Sequence, residues 1–214
     1  MENALIIFVR NLEKGKVKSR LAKDIGDNKA LDVYKYLLQH TRNVAIGTRC
    51  SHFVFYSDYV HVNDVFDDDC FTKAIQRGDE LGERMINAFE HVFHLGCKII
   101  CIIGSDCYEL QSEHISEAFQ QLKSNDVVVG PTIDGGYYLL GMKQLHQPVF
   151  QSKEWGTSSV YDDTIADLKQ ANLSYSSLPT LNDIDLVDDL LKTDILTKIE
   201  EEASELDVID EEPE

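Results

Sequence analysis

Basic residues are scarce in this chain: Lys and Arg number 20 against 38 Asp and Glu, for a formal net charge of -18. So acidic a protein is repelled by nucleic-acid phosphates and anionic lipid, because binding either relies on basic patches. Both partners are excluded, and an anionic ligand must be small and locally recruited. Proline is down to four residues, and no repeat, low-complexity linker or Pro-rich spacer divides the 214 residues, so one domain is expected. No apolar run approaches the roughly 18 residues of a membrane-spanning helix. The start, Met1 to Arg10, holds only six consecutive apolar residues, with no basic stretch before them and no small-residue cleavage site after them. It does not read as a signal peptide, and the cytoplasm is the expected location. The five Cys are an odd number without a C-x-x-C pair, which argues against a disulfide framework or zinc site and for reduced, buried thiols.

What the chain does have is 43% apolar content arranged in a rhythm. Short apolar runs at 4–9, 52–56, 98–103, 126–129 and 137–142 predict strands. Longer segments of helical period at 28–46, 80–93, 114–122, 158–173 and 185–199 alternate with them. That β-α-β order predicts a single-domain, three-layer α/β/α fold with a mainly parallel, Rossmann-like sheet over residues 1–199. The last fifteen residues contain nine Asp or Glu and no Lys or Arg, and are read as an acidic, disordered tail over 200–214.

In open sheets of this kind, ligands collect beyond the carboxyl ends of the strands. After the first strand, residues 10–20 carry Arg10, Lys14, Lys16, Lys18 and Arg20 against the single acid Glu13. This is a local anion trap, with Lys18 and Arg20 on the first turn of the next helix. The Walker spacing is absent, so a P-loop is not indicated. After the third predicted strand, Gly104-Ser105-Asp106 places a carboxylate at the strand tip, suited to Mg²⁺ or Mn²⁺, which take oxygen ligands and typically one or two protein carboxylates. An Asp there also suits a helix cap.

The segment Asp134-Gly135-Gly136-Tyr137-Tyr138 fits a hairpin turn, and equally a flat, side-chain-free floor beside aromatic faces. Near the end, Asp183 and Asp185 point the same way if the stretch is extended, and Asp185 is a second metal carboxylate or an N-cap.

Taken together, these residues resemble a known family. Phe8, Arg10, Gly15, Val17, Lys18, Arg20 and Leu21 match a first motif, F-x-R-x-P-x-P-G-x-V-K-T-R-L, with Leu12 and Lys14 in place of its prolines and Ser19 in place of its threonine. Gln76, Leu81, Gly82, Arg84 and Met85 match a second, in which Asp79 and Glu80 replace Gly and Asp. The third, G-S-D-C-P, runs from Gly104 to Cys107 with Tyr108 for proline, and the fourth, D-G-G-Y-Y-L-L-G, is intact from Asp134 to Gly141. Trp155-Gly156-Thr157 resembles the fifth, W-S-T. The sixth is matched by Leu178, Pro179, Leu181, Asp183, Ile184, Asp185, Asp189 and Leu190.

The resemblance is to small bacterial glycosyltransferase-like proteins related to the molybdenum-cofactor and phospholactate nucleotidyltransferases, which share the nucleotide-diphospho-sugar transferase fold of GT-A type. It implies that Asp106 and Asp185 hold Mg²⁺ or Mn²⁺ on a diphosphate. It also implies that Arg10, Gly15, Lys18 and Arg20 hold phosphate or base, with Gln76, Arg84, Trp155 and Thr157 lining the substrate. Asp134, Gly135, Gly136 and Tyr137 would line the sugar or acceptor pocket, with Asp134 and Asp106 catalytic.

The expected activity is metal-dependent glycosyl transfer from a nucleotide-diphospho-sugar to a small-molecule acceptor. Nucleotidyl transfer from a nucleoside triphosphate is an alternative, although the first loop lacks the spacing L-x-G-G-x-S-x-R-M-G-x-x-K of such enzymes. A non-catalytic nucleotide-binding module is a second alternative, which the departures from the motifs favour.

Overall fold

The computed structural model describes residues 2–210. Its seven-stranded sheet has the order β3-β2-β1-β4-β6-β5-β7. The strands are β1 Asn3–Val9, β2 Ser51–Tyr56, β3 Phe71–Ile75, β4 Ile99–Ile103, β5 Val127–Pro131, β6 Tyr137–Met142 and β7 Tyr175–Ser177. Every neighbouring pair is parallel except those made by β6, which runs antiparallel between β4 and β5.

Alternation along β1 shows why both faces are covered. Leu5, Ile7 and Val9 enter one core with Tyr34, Leu38, Ile115 and Phe119, whereas Ala4 and Ile6 enter the other with Met85, Phe89, Val92 and Leu168. Successive strand side chains point to opposite faces, so a near-continuous apolar strand requires a helical layer on each side. After the short helix α1 (Ser19–Ile25), helices α2 (Asp27–Ile46) and α4 (Ser112–Gln121) supply one layer, and α3 (Leu81–His94) and α5 (Val160–Gln170) the other. This is the expected three-layer α/β/α arrangement. All five cysteines are free, and all but Cys70 are buried.

The expectations differ from the structure at the margins. Strands β3 and β7 lie at the two edges of the sheet and carry mixed, half-exposed side chains, so they lack the apolar run that marks an inner strand. The single helix expected over 185–199 is two: α6 Val187–Leu190 and α7 Ile195–Asp210. Helix α7 continues to Asp210 through residues rich in Glu, a good helix former; residues 211–214 of the expected tail lie outside the described residues.

The Asp134-Gly135 segment does turn a hairpin, between β5 and β6. Gly135 has φ +92, and a Cβ there would come within 2.1 Å of the Ser158 carbonyl oxygen. The space expected beside this glycine for a ligand is filled by the Ser158 main chain, and Tyr161 N donates to Gly135 O at 2.8 Å. Gly135→Ala should therefore cost about 2–4 kcal/mol, combining left-handed strain with overpacking. Gly156→Ala, also at positive φ but with open space around it, should cost only about 1–2 kcal/mol. Urea unfolding of the two variants checks this; equal losses would mean that the Ser158 contact is not limiting.

Candidate functional site

From β1 the chain crosses to β2 and β3 on one side, and it then returns to β4 on the other. Loops leaving β1 and β4 diverge, which opens a crevice at the carboxyl ends of these two strands. The loop after β1 is built by local devices. Asn11 is buried, and its carboxamide accepts from Ser57 Oγ and Asp58 N and donates to Tyr59 O, which ties this loop to the one after β2. Gly15 turns the chain at φ +78. Beneath the crevice, the Tyr34 hydroxyl accepts from Arg10 N at 2.8 Å and pairs with Ser105 Oγ at 3.1 Å, linking the tips of β1 and β4.

Three carboxylates are brought to the crevice by main-chain hydrogen bonds. Ile184 N donates to Asp106 O at 2.9 Å, and Leu181 N donates to Pro131 O at 3.1 Å. Segment 181–185 is thereby pinned to both the β4 loop and the β5–β6 hairpin. Ile184 is buried, so its neighbours Asp183 and Asp185 project to the other side.

Lys18 Nζ donates to Asp106 Oδ2 and to Asp185 Oδ1, each at 3.0 Å, and Arg20 lies 3.6 Å from the second Asp185 oxygen. Burial works to lower the Lys18 value, but the Asp106 and Asp185 carboxylates outweigh it and leave it raised.

The helix-cap alternatives fall away. Helix α4 has Gln111, not Asp106, at its N-cap. The start of α6 is capped by Asp189, which accepts from Leu186 N at 3.0 Å and Asp185 N at 3.4 Å. The carboxylates of Asp106 and Asp185 are left for the crevice.

Asp134 is held in the hairpin: its Oδ1 accepts from Thr132 Oγ1 at 2.6 Å and Gly136 N at 3.0 Å. Asp183, which the sequence marks only by its alternation with Asp185, joins this group. Its Oδ1 is buried without a hydrogen-bond partner. Burial, then the Asp106 carboxylate, push its acid up to about 8. Its alternation with Asp185 about a buried isoleucine was the available signal.

The other predicted residues make contacts of their own. Gln76 donates its amide to Val9 O and Phe55 O, stitching the ends of β1 and β2. Arg84 Nε donates to Gly78 O, and Thr157 Oγ1 to Glu154 O. Tyr137 and Trp155 meet edge to face at 6.5 Å, and a Cβ on Gly82 would come within 2.9 Å of the indole. Tyr137 is deep enough for burial to raise its phenol well above the ordinary value. Among the described residues, no hydrogen bond or ion pair joins Gln76, Arg84, Trp155 or Thr157 to Asp106. A surface groove of about 720 Å³ lies between His40, Tyr108 and residues 191–194, and Lys18, Asp106, Asp183 and Asp185 do not line it.

No three Asp, Glu, His or Cys side chains among the described residues converge as a metal cage. The donor set nevertheless suits Mg²⁺ or Mn²⁺, which accept one or two carboxylates and complete their shell with phosphate and water. Asp183 Oδ1, buried without a hydrogen-bond partner, belongs to the same acidic group.

Residues 42–157, more than half of the chain, match the family described as uncharacterized protein conserved in bacteria (DUF2064). The chain belongs to this family. A solved structure from Desulfovibrio desulfuricans G20, carrying the provisional name nucleotide-diphospho-sugar transferase, is 31% identical with TM-score 0.80. The match covers 88% of the DUF2064 chain and 84% of that one. The fold is therefore nucleotide-diphospho-sugar transferase-like.

Two distant structures share the fold alone, each at 11% identity. Rv0371c of Mycobacterium tuberculosis H37Rv in complex with manganese has TM-score 0.53, covering 90% of this chain and 97% of its own. A 4-diphosphocytidyl-2C-methyl-D-erythritol synthase has TM-score 0.57, covering 91% and 98%. No curated protein matches the sequence. No described helix is long and apolar enough to cross a membrane.

Asp183 makes stability depend on pH. Unfolded, this acid releases its proton near 4, typical of aspartate; folded, it keeps the proton up to about 8. The folded state therefore binds more protons between these values, and stability is lost as pH rises through that window. With chelator present, Asp183→Asn should melt above the unsubstituted protein at pH 8.5, and the two should converge toward pH 5. Identical melting at both pH values would refute a protonated Asp183.

Proposed function

We propose that the chain is a metal-dependent glycosyltransferase that uses a nucleotide-diphospho-sugar donor. The observation that carries this reading is the pair Asp106 and Asp185, facing one buried ammonium at the β1/β4 crevice beside a basic loop. Asp106 and Asp185 would hold Mg²⁺ or Mn²⁺, which when bound supplies Lewis-acid charge to a diphosphate leaving group.

Arg10, Lys18 and Arg20 lie on the loop that would bind the phosphate oxygens, where preorganised cations stabilise developing negative charge. The bond between the anomeric carbon and the diphosphate oxygen breaks, its electron pair leaving on the diphosphate, while an acceptor hydroxyl oxygen forms the new bond. The proton of that hydroxyl passes to Asp134, whose Oδ1 is fixed by Thr132 and Gly136 so that the other oxygen can face the acceptor. Tyr137 and Trp155 would wall the sugar side, and the expected cytoplasmic location supplies soluble nucleotide sugars.

The test is product analysis with a panel of nucleotide sugars and Mg²⁺ or Mn²⁺. Release of a nucleoside diphosphate, lost about a hundredfold or more in Asp106→Asn and abolished by chelator, is the expected result. Asp106→Asn should keep its cooperative melting. Pyrophosphate release from a nucleoside triphosphate would replace this reading with nucleotidyl transfer, and turnover undiminished in Asp106→Asn would remove the metal role.

A further inference from the structure

Lys18 stands out from the other basic residues of its loop. Its side chain is only 5% exposed, against 64% for Arg20 and 73% for Lys16. Its backbone has φ 46 and ψ 43, in the left-handed region. A side chain other than glycine occupies that region at a cost of about 1–2 kcal/mol. Such a residue persists only where its surroundings over-determine it. Here the two ion pairs to Asp106 and Asp185 do so, one to the β4 loop and one to segment 181–185.

The oxygens that face this ammonium belong to the same two carboxylates that a hard divalent cation would take. A monovalent and a divalent cation cannot share them without strong repulsion in a partly buried site. Lys18 thus does electrostatically what a metal would do, holding two like charges together. It also lies on the loop that offers cations to an anion, so a phosphate gives the ammonium somewhere to go.

We propose that Lys18 is a resident counter-ion that occupies the metal carboxylates until a diphosphate draws it away, so that the metal binds weakly alone and tightly with the diphosphate. This rests on the reading of Asp106 and Asp185 as metal carboxylates. The arrangement couples the two ligands reciprocally: whatever factor the diphosphate adds to metal affinity, the metal adds to diphosphate affinity. It also keeps the crevice folded in the absence of both, because the ammonium prevents carboxylate repulsion from separating the β4 loop from segment 181–185.

The experiment measures Mn²⁺ binding to the full chain without nucleotide, by the electron paramagnetic resonance of free Mn²⁺. Lys18→Met removes the competing charge and should bind Mn²⁺ at least about tenfold more tightly than the unsubstituted protein; Lys18→Gln serves if the Met variant does not fold. Equal or weaker binding by the folded variant, with binding lost in Asp106→Asn, overturns the counter-ion role alone. Mn²⁺ binding indifferent to Asp106→Asn and Asp185→Asn overturns the metal reading and this inference with it. The unsubstituted protein gives an independent readout: acylation of Lys18, followed by mass spectrometry, should be slow without metal and faster at saturating Mn²⁺. Unchanged reactivity overturns the displacement.

Discussion

One ammonium bridges the charged side chains of the crevice between β1 and β4. Lys18 reaches from the loop after β1 to Asp106 on the loop after β4 and to Asp185 on the segment before α6. It acts beside the Tyr34 hydroxyl, which links Arg10 N to Ser105 Oγ, where the connections leaving β1 and β4 run in opposite directions. Main-chain hydrogen bonds fix the acidic side: Ile184 to Asp106, and Leu181 to Pro131. The basic side is tied across by side chains, the Tyr34 hydroxyl between Arg10 N and Ser105 Oγ and the Lys18 ammonium to the acids themselves. A buried lysine between two half-exposed carboxylates specifies position more than it adds stability, because desolvating the ammonium offsets much of the attraction.

Much of this fold is legible in sequence because its inner strands are covered on both faces. Residues 4–9, 98–103 and 137–142 read as strands since nearly every side chain there meets a helical layer. Edge strands are different. Phe71–Ile75 and Tyr175–Ser177 bond to one neighbour only, and their pattern is too mixed to separate from loop.

For the site, residue types were legible and partners were not. Asp106 and Lys18 stand out by their place after a strand, yet nothing in their spacing says that they touch. Gln76 is conspicuous in its motif, but its amide joins the carbonyls of Val9 and Phe55, both distant in sequence. The competing cap readings of Asp106 and Asp185 depended on which residue begins the following helix, and boundaries are what periodicity resolves least well. Asp189 capping α6 from within its first turn is the detail that frees Asp185.

Charge bears on why an acidic chain would take an anionic ligand at all. Around the crevice stand Asp106, Asp134, Asp183 and Asp185, and among the described residues the cations paired with this set are Lys18 and Arg20. A carboxyl buried beside another carboxylate relieves repulsion by keeping its proton, which is the state assigned to Asp183. With that proton in place, three carboxylates still face two cations. A diphosphate entering here would meet these acids as well as the basic loop, and positive charge of its own would offset the acids. A divalent cation carried on the phosphates supplies that charge, and it does so without the broad basic patches that the composition excludes. The acidic composition and the proposed metal dependence are thus two sides of one electrostatic constraint.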